Sequence, residues 1–550
     1  KREKKMKFLK SFYLASVIAI LLSGCKTIST IPVPEGTNNV VILSAKKAPL
    51  TKTQKETWAH ADLATDTIPG ISTDKAYTFL KGKKGVEVIV GVVDSGVDLK
   101  HEDLSAVAWV NKKEIPNNGK DDDNNGFVDD MNGWNFLGPI IKENAEVERI
   151  LKNPKLVDEA TYKAIKEAQD KKTKEASSNK FRFNQILQAV EFADKTISDH
   201  LKKKKYTIED LNAIKSDNPA LSQSVNIAKQ MLGLGLNSLS QAITEIKKEI
   251  QNAEDLMTGG NLKTDNRKAL GDNAQDFSSK FYGDNKTGHT TKEEAHGTHV
   301  AGIIGALRNN GKGMNGVTNN VKIMAVRTVP DGDEYDKDVA LAIRYAVDNG
   351  AKVINASFGK SYSPNKEWVY DAIKYAADKD VLIVHAAGND GKNIDAESNF
   401  PNDSKQPGIE ISDNYISIGA ISSSYNENLP ADFTNYGKIN VDIFAPGVQI
   451  YSTVPENEYE YLNGTSMAAP ATAGIAALIR SYYPKLSAKQ VKHIIMNSGT
   501  KIDLDVIKPG SFSQDNPTGE KVPFSELSVT GRIVNAYNAL KIADRMVNGK

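Results

Sequence analysis

Asn463-Gly464-Thr465-Ser466-Met467-Ala468-Ala469-Pro470 sets a serine just after a glycine turn, at the head of a small-residue run that continues to Tyr483. The run is rich in helix formers, and Pro470 falls close enough to its start that the missing N–H costs little, so a helix is expected over 466–483. Ser466 then lies at the positive end of that helix, where its backbone N–H can face a developing negative oxygen. Taken alone, such a serine is an N-cap. Two stretches upstream change its meaning. The apolar run 88–93 ends in Asp94-Ser95-Gly96-Val97-Asp98, and His296-Gly297-Thr298-His299-Val300-Ala301-Gly302 opens a second small-residue helix. An acid at a strand end, a histidine at a helix start and a serine at another helix start are the three parts of a hydrolytic triad.

The bulk composition sets the limits. With 550 residues, 39% of them hydrophobic, the chain can bury a sizeable core over two or three domains. Lys+Arg of 70 against Asp+Glu of 69 leaves a net charge of +1, so no global basic field argues for nucleic acid as a partner. The only cysteine is Cys25, and the fold is therefore built without disulfides. Residues 1–24 read as an export signal: Met6-Lys7-Phe8-Leu9-Lys10 is basic, and 11–22 is apolar but too short to span a membrane. The polar segment 25–70 reads as a tether with a short helix near 54–63.

Alternating strands and helices continue the pattern around the triad. Strands are expected at 88–93, 321–326, 353–356, 381–387, 415–420 and 441–445. Helices are expected at 338–349, 367–379, 466–483, 488–497 and 532–545. This is a doubly wound α/β fold with a mostly parallel sheet, whose sites gather at the carboxyl ends of strands. Between 138 and 288 the composition shifts to Lys, Glu, Ala, Gln and Asn with apolar residues at three-to-four spacing. Amphipathic helices are expected there at 145–172 (interrupted by Pro154), 178–202, 208–215 and 222–253. They form an insert that divides the α/β domain into 71–137 and 289–550.

A loop at 118–130 carries oxygen side chains at alternate positions. Asp121, Asp123 and Asn125 take positions one, three and five of a calcium loop, Gly126 the sharp turn, Phe127 a carbonyl at seven and Asp129 position nine. Position twelve is Asn132 rather than a bidentate glutamate, so the loop is not a full EF-hand.

The Asp94, His296 and Ser466 motifs, in that order, resemble those of the subtilisin-like serine proteases, over 88–135 and again from His296 to about 543. The resemblance implies a serine endopeptidase acting through an acyl-enzyme, with Ser466 as nucleophile, His296 as general base and Asp94 orienting the imidazole. It implies that Asn389, in Ala386-Ala387-Gly388-Asn389, donates to the oxyanion. Ser357-Phe358-Gly359 resembles the family's substrate-lining edge, with Ala387-Gly388 as the opposite wall and Asn399 at the pocket base, where it shortens the pocket. His299 is expected to pack or support rather than react. Structural calcium fits the family, and polypeptides are the implied substrates. The 202 positions from Asp94 to His296 are the largest departure from the family pattern, and the insert they hold reads as a solvated, structurally neutral decoration, with contact to substrate or a partner protein as the sharper alternative. Leu22-Ser23-Gly24-Cys25 resembles a bacterial lipobox, which implies lipid on Cys25 and membrane anchoring in the cell envelope. Two rivals stand beside this. One is a surface-anchored binding protein on an inactive protease fold. The other is an esterase, disfavoured because Gly464-Thr465-Ser466-Met467-Ala468 lacks the second glycine of the Gly-x-Ser-x-Gly elbow.

Overall fold

The continuous run Val-Ile-Val-Gly-Val-Val suits a strand covered on both faces, and Val88–Asp94 forms strand β1, third from one edge of a nine-stranded sheet. The computed structural model describes residues 48–549, apart from 234–237, 259–265, 293, 407 and 514–515. The export signal and Cys25 lie outside the described residues. The remaining strands of the sheet are β2 (Gly133–Asn135), β3 (Val321–Arg327), β4 (Val353–Ala356), β5 (Leu382–Ala386), β6 (Tyr415–Ile421), β7 (Ile443–Pro446), β8 (Thr500–Lys501) and β9 (Arg532–Ile533). Their order is β8-β9-β7-β6-β5-β4-β1-β3-β2, and only β8 and β9 pair antiparallel.

Helices cover both faces of the sheet. His296–Gly305, Thr465–Tyr482, Ala488–Ser498 and Ala536–Asn548 pack on one face, while Asp336–Asp348 and Lys366–Asp378 pack on the other. The last helix starts later than the sequence pattern predicts because Asn535 caps it, its side chain accepting from the Asn538 N–H at 2.9 Å. Arg532–Ile533 is thereby released to join the sheet.

The segment expected as a tether over 25–70 is not free along its second half. Trp58, Ile68 and Ile71 are buried in the main core, and the Trp58 indole donates to the Gln449 carbonyl at 3.3 Å. Burial of one tryptophan and two isoleucines outweighs the polar composition around them.

The insert divides into two parts. The long helix Glu159–Leu201 runs 43 residues, about 65 Å at 1.5 Å per residue, without the break expected near 172–178. It continues because the helix Leu239–Thr258 returns along it, joined by Lys180–Glu254 and Lys247–Glu191 ion pairs at 2.8 Å, and tertiary packing outweighs the weak Ser-Ser-Asn propensity. Val190, Ala193 and Ile197 meet Leu211, Leu221, Val225, Leu239 and Ala242 in a separate small core. The expected helix 222–253 is two helices, Pro219–Gly233 and Leu239–Thr258.

The flanks of the insert belong to the α/β domain. Asn135 and Asp284 exchange backbone hydrogen bonds, the Trp134 indole donates to the Tyr282 carbonyl at 2.8 Å, and Phe277 stacks on Trp368. Arg267 is buried between Asp338 and Asp272. The insert boundaries of 138–288 therefore contract to roughly the bundle Glu159–Thr258. Cutting out 142–284 would strip buried Asp338 of its guanidinium, a change that breaks a fold rather than trims it.

Candidate active site

Asp94 closes β1 at a position 1% exposed, and the chain then turns so that the Ser95 N–H donates back to Asp94 Oδ1 at 2.8 Å. The same oxygen lies 2.7 Å from His296 Nδ1, at the first residue of its helix. That approach depends on Gly297, since a Cβ there would lie 2.2 Å from the Gly96 carbonyl and 3.2 Å from the Asp94 Cβ. The glycine next to the histidine is thus the space that lets an acid and a base touch.

Partial burial of the His296 ring, whose side chain is 37% exposed, disfavours its charged form, but the Asp94 charge and hydrogen bond outweigh this and hold its pKa above the ordinary 6.5. A neutral imidazole is required of a base, so hydrolysis is expected to fall as pH drops through a midpoint above 6.5. The Asp94 pair acts oppositely on the fold. Its contribution to stability is full below the unfolded pKa of 6.5 and fades as pH rises through the folded value. A pH profile of turnover checks this; a rate flat from about pH 5 to 8 would remove histidine from the base role.

Ser466 is the second residue of the helix Thr465–Tyr482, and its hydroxyl donates to the Ser357 carbonyl at 3.3 Å. The link is returned, for the Ser357 hydroxyl donates to the Ser466 carbonyl at 3.0 Å. Among the described residues no hydrogen bond joins Ser466 to His296 in this resting arrangement. Asn389 is exposed just past β5, and its carbonyl oxygen accepts from the Thr465 N–H at 2.8 Å and hydroxyl at 2.9 Å. This fixes the amide so that Nδ2 is the free donor. Gly464, at φ +150, leaves the space beside it open. A Cβ at that point would lie 3.5 Å from both Asn389 Nδ2 and the Ser466 N–H. Two donors thus converge on one position, the arrangement that a developing oxyanion would need.

His299 lies wholly buried and turns away from the triad, its Nε2 near the Ile450 and Glu460 carbonyls at 3.0 and 3.1 Å. Burial lowers its pKa to about 4, so it stays neutral and serves packing.

Asp94 and His296 open into a cleft of about 1150 Å³ lined also by Ser357, Phe358, Gly359 and, from the start of the insert, Ile140 and Ile141. Gly359 is exposed, and among the described residues its N–H and carbonyl make no backbone hydrogen bond. Phe358 turns its ring into the core, and its carbonyl is held by His385 Nε2 at 2.8 Å. Ala387 and Gly388 follow β5, with the Gly388 N–H donating to the Thr465 hydroxyl at 3.1 Å. Asn399 reaches between the walls: its Nδ2 donates to the Ala387 carbonyl at 3.0 Å, and its Oδ1 lies 3.5 Å from where a Cβ on Gly359 would sit.

Arg327 escapes a reading of the sequence. It ends β3 level with Asp94 and is completely buried. Its guanidinium donates to the carbonyls of Ser95, Gly138 and Ile140, to Asn135 Oδ1, and to Glu294, two residues before His296. An arginine closing an apolar strand was the available signal.

The acidic loop lies apart from the cleft. Carboxylate oxygens of Asp121 and Asp123 gather with one of Glu114, all within 4.8 Å of one another. Asn125 and Phe127 close the turn, the Phe127 N–H donating to Asn125 Oδ1 at 2.8 Å. Asp129 instead faces the start of the loop, accepting from the Asn118 and Gly119 N–H groups at 3.1 and 2.9 Å. Glu114, which no spacing announces, takes the place expected of Asp129.

Residues 85–519 match the model of the Subtilase family of peptidases. The chain belongs to the subtilase family. This subtilase is 39% identical over 276 residues to the cell wall-associated protease of Bacillus subtilis (strain 168), covering 49% of this chain and 28% of that protein. It is 38% identical over 219 residues to Subtilisin DY of Bacillus licheniformis, covering 39% of this chain and 73% of that protein. It is 37% identical over 208 residues to Thermitase of Thermoactinomyces vulgaris, covering 38% and 68%. The subtilase fold expected from the triad motifs is thus present, and its family is one of serine proteases. The inactive binding-protein alternative finds no support in these relatives.

Proposed function

We propose that the protein is a serine endopeptidase in which Ser466 attacks a peptide carbonyl, His296 takes the serine proton and Asp94 steadies the imidazolium. The observation that carries this is the 2.7 Å bond between Asp94 Oδ1 and His296 Nδ1 in the cleft that Ser357 lines. Nδ1–H donates to the carboxylate, which leaves Nε2 as the base. The Ser466 hydroxyl rotates from the Ser357 carbonyl toward Nε2, a side-chain motion far faster than turnover. The tetrahedral oxyanion then takes hydrogen bonds from Asn389 Nδ2 and the Ser466 N–H. Protonated His296 gives its proton to the leaving amine, and water repeats the sequence on the acyl-enzyme. A fluorophosphonate label followed by mass spectrometry tests the proposal: an adduct on Ser466 is expected, and its absence from the folded protein would favour a binding role.

Extended polypeptides are the proposed substrates, because the free N–H and carbonyl of Gly359 can pair with an added strand. Asn399, spanning from Ala387 to Gly359, is proposed to shorten the pocket for the side chain before the scissile bond and to favour small residues there.

The Glu114, Asp121 and Asp123 oxygens suit a hard cation. Three carboxylates converge, and the Lys113 ammonium near Asp123, at 3.8 Å, is on a side chain 74% exposed, too solvated to neutralise them. Structural calcium is proposed there. At a hundred times its Kd, calcium would stabilise the fold by about 2.7 kcal/mol. The expected result is a higher Tm with calcium than with chelator, and loss of that response in Asp121→Asn. Coincident melting curves after complete metal removal would reduce the loop to a solvated turn.

Lipid on Cys25 and membrane anchoring in the cell envelope are proposed from the lipobox-like stretch. No helix among the described residues is long and apolar enough to cross a membrane. Cys25→Ser is expected to move the protein out of the membrane fraction, and a wild type that is soluble after export would refute the anchor.

A further inference from the structure

β1 stops at Asp94 while its two neighbours run on. Beyond β3 the chain continues through Gly332 to Glu334, and beyond β4 through Ser357 to Lys360. Two strands that flank a third lie about 9 to 10 Å apart, at two strand spacings. Asp331, Gly332 and Glu334 line the same cleft as Ser357, Phe358 and Gly359. Among the described residues, Gly332 resembles Gly359 in that its N–H and carbonyl make no backbone hydrogen bond. The cleft between them thus has a free backbone edge on each side, as an added strand would require.

Both walls are tied to one short helix of the insert base, Glu146–Lys152. On the first wall the Arg149 guanidinium donates to the Asp333 carbonyl at 2.9 Å and the Glu334 carbonyl at 3.1 Å, and Asp333 Oδ2 accepts from the Glu146 N–H at 2.7 Å. On the second wall the Lys360 ammonium reaches Glu146 Oε2 at 2.7 Å, and it also donates across the gap to the Glu334 carbonyl at 2.7 Å. Arg149 and Glu146 are themselves paired at 2.7 Å, with both side chains under 10% exposed. Asp336, 2.9 Å from Lys360, balances the charge. Among the described residues, Arg149 Nε alone of its guanidinium nitrogens is left without a partner, and a buried, ion-paired cluster of this kind holds its geometry because moving any member strands a charge in low dielectric.

We infer that Glu146 and Arg149 are positioning residues, which hold the two walls at the separation an incoming peptide strand needs and link that separation to the helical insert. The inference rests on the endopeptidase function proposed above. The chain from Lys152 passes through one turn, Pro154–Leu156, into the 43-residue helix, so the bundle and the slot share a joint.

The test compares two substrates on the full chain. A single-residue acyl ester has no upstream backbone to pair with Gly332 or Gly359, whereas a peptide with four residues before the scissile bond fills the slot. In Arg149→Met and Glu146→Gln the loss of kcat/KM on the peptide is expected to exceed the loss on the ester by tenfold or more, carried mainly by KM. Equal losses on both substrates, or none on either, would overturn the inference. If Arg149→Met fails to fold by its melting curve, Arg149→Lys decides. It keeps a charge for Glu146 but cannot hold two carbonyls in a planar fork, and the same differential is expected of it. A wild type inert toward both substrates would sink the endopeptidase function and this inference together. An active wild type with equal losses in the variants sinks only the positioning role.

Discussion

Ser466→Ala is expected to reduce peptide hydrolysis by three or more orders of magnitude, the scale known for subtilisin within the same family, with Tm almost unchanged. The two halves of this result have separate causes. The hydroxyl is the attacking group, so without it only the oxyanion hole and substrate binding remain. In the resting fold the same hydroxyl makes one 3.3 Å hydrogen bond to the Ser357 carbonyl and caps nothing. Its loss therefore leaves the helix start intact, and the return bond from the Ser357 hydroxyl to the Ser466 backbone persists. Casein turnover and a melting curve on the same preparation check both halves. Retained turnover would overthrow the nucleophile, and a large fall in Tm would show that inactivity came from unfolding.

Arg327→Met is expected to have the largest effect on stability of any single change outside the apolar core. Removing one partner of a buried ion pair costs about 3–5 kcal/mol because the other charge is left uncompensated. Here the guanidinium also serves the Ser95, Gly138 and Ile140 carbonyls, which join the end of β1 to the insert base. Glu294 accepts from the Thr290 and Thr291 N–H groups as well, so the turn leading into His296 is expected to loosen with it. Activity should fall along with Tm. The double variant Arg327→Met/Glu294→Gln should recover part of the loss by removing the stranded carboxylate. Denaturant titration of the wild type, the single and the double variants measures this, and a single variant as stable as wild type would refute the role of Arg327 as the hub of the site.

The legible parts of the chain were those whose cause is local. β1, the His296 helix and the Ser466 helix announce themselves through apolar runs and small residues in sequence, and Asp94 and His296 meet as their motifs led one to expect. Asn389 was singled out by resemblance, yet what orients its amide, two donors from Thr465, lies 76 positions downstream. Arg327 was invisible because its partners are distant in the chain, up to 232 positions away, whereas Glu114 is near Asp121 and Asp123 in sequence but precedes the alternating pattern that marks the loop. The break expected near 172–178 failed for the same reason, since the packing that sustains the long helix comes from Leu239–Thr258. The tether was misjudged from composition, which counts Lys and Thr but does not see where Trp58 goes.

The bundle's separate core has a consequence for how unfolding is observed. All four tryptophans, Trp58, Trp109, Trp134 and Trp368, belong to the α/β domain, and none lies between 159 and 258. Intrinsic fluorescence therefore follows one unit and is blind to the other, while far-ultraviolet circular dichroism sums over both and gives heavy weight to the 43-residue helix. Where the two probes diverge, a single midpoint describes neither unit, and a two-state free energy extracted from either curve applies to only part of the chain.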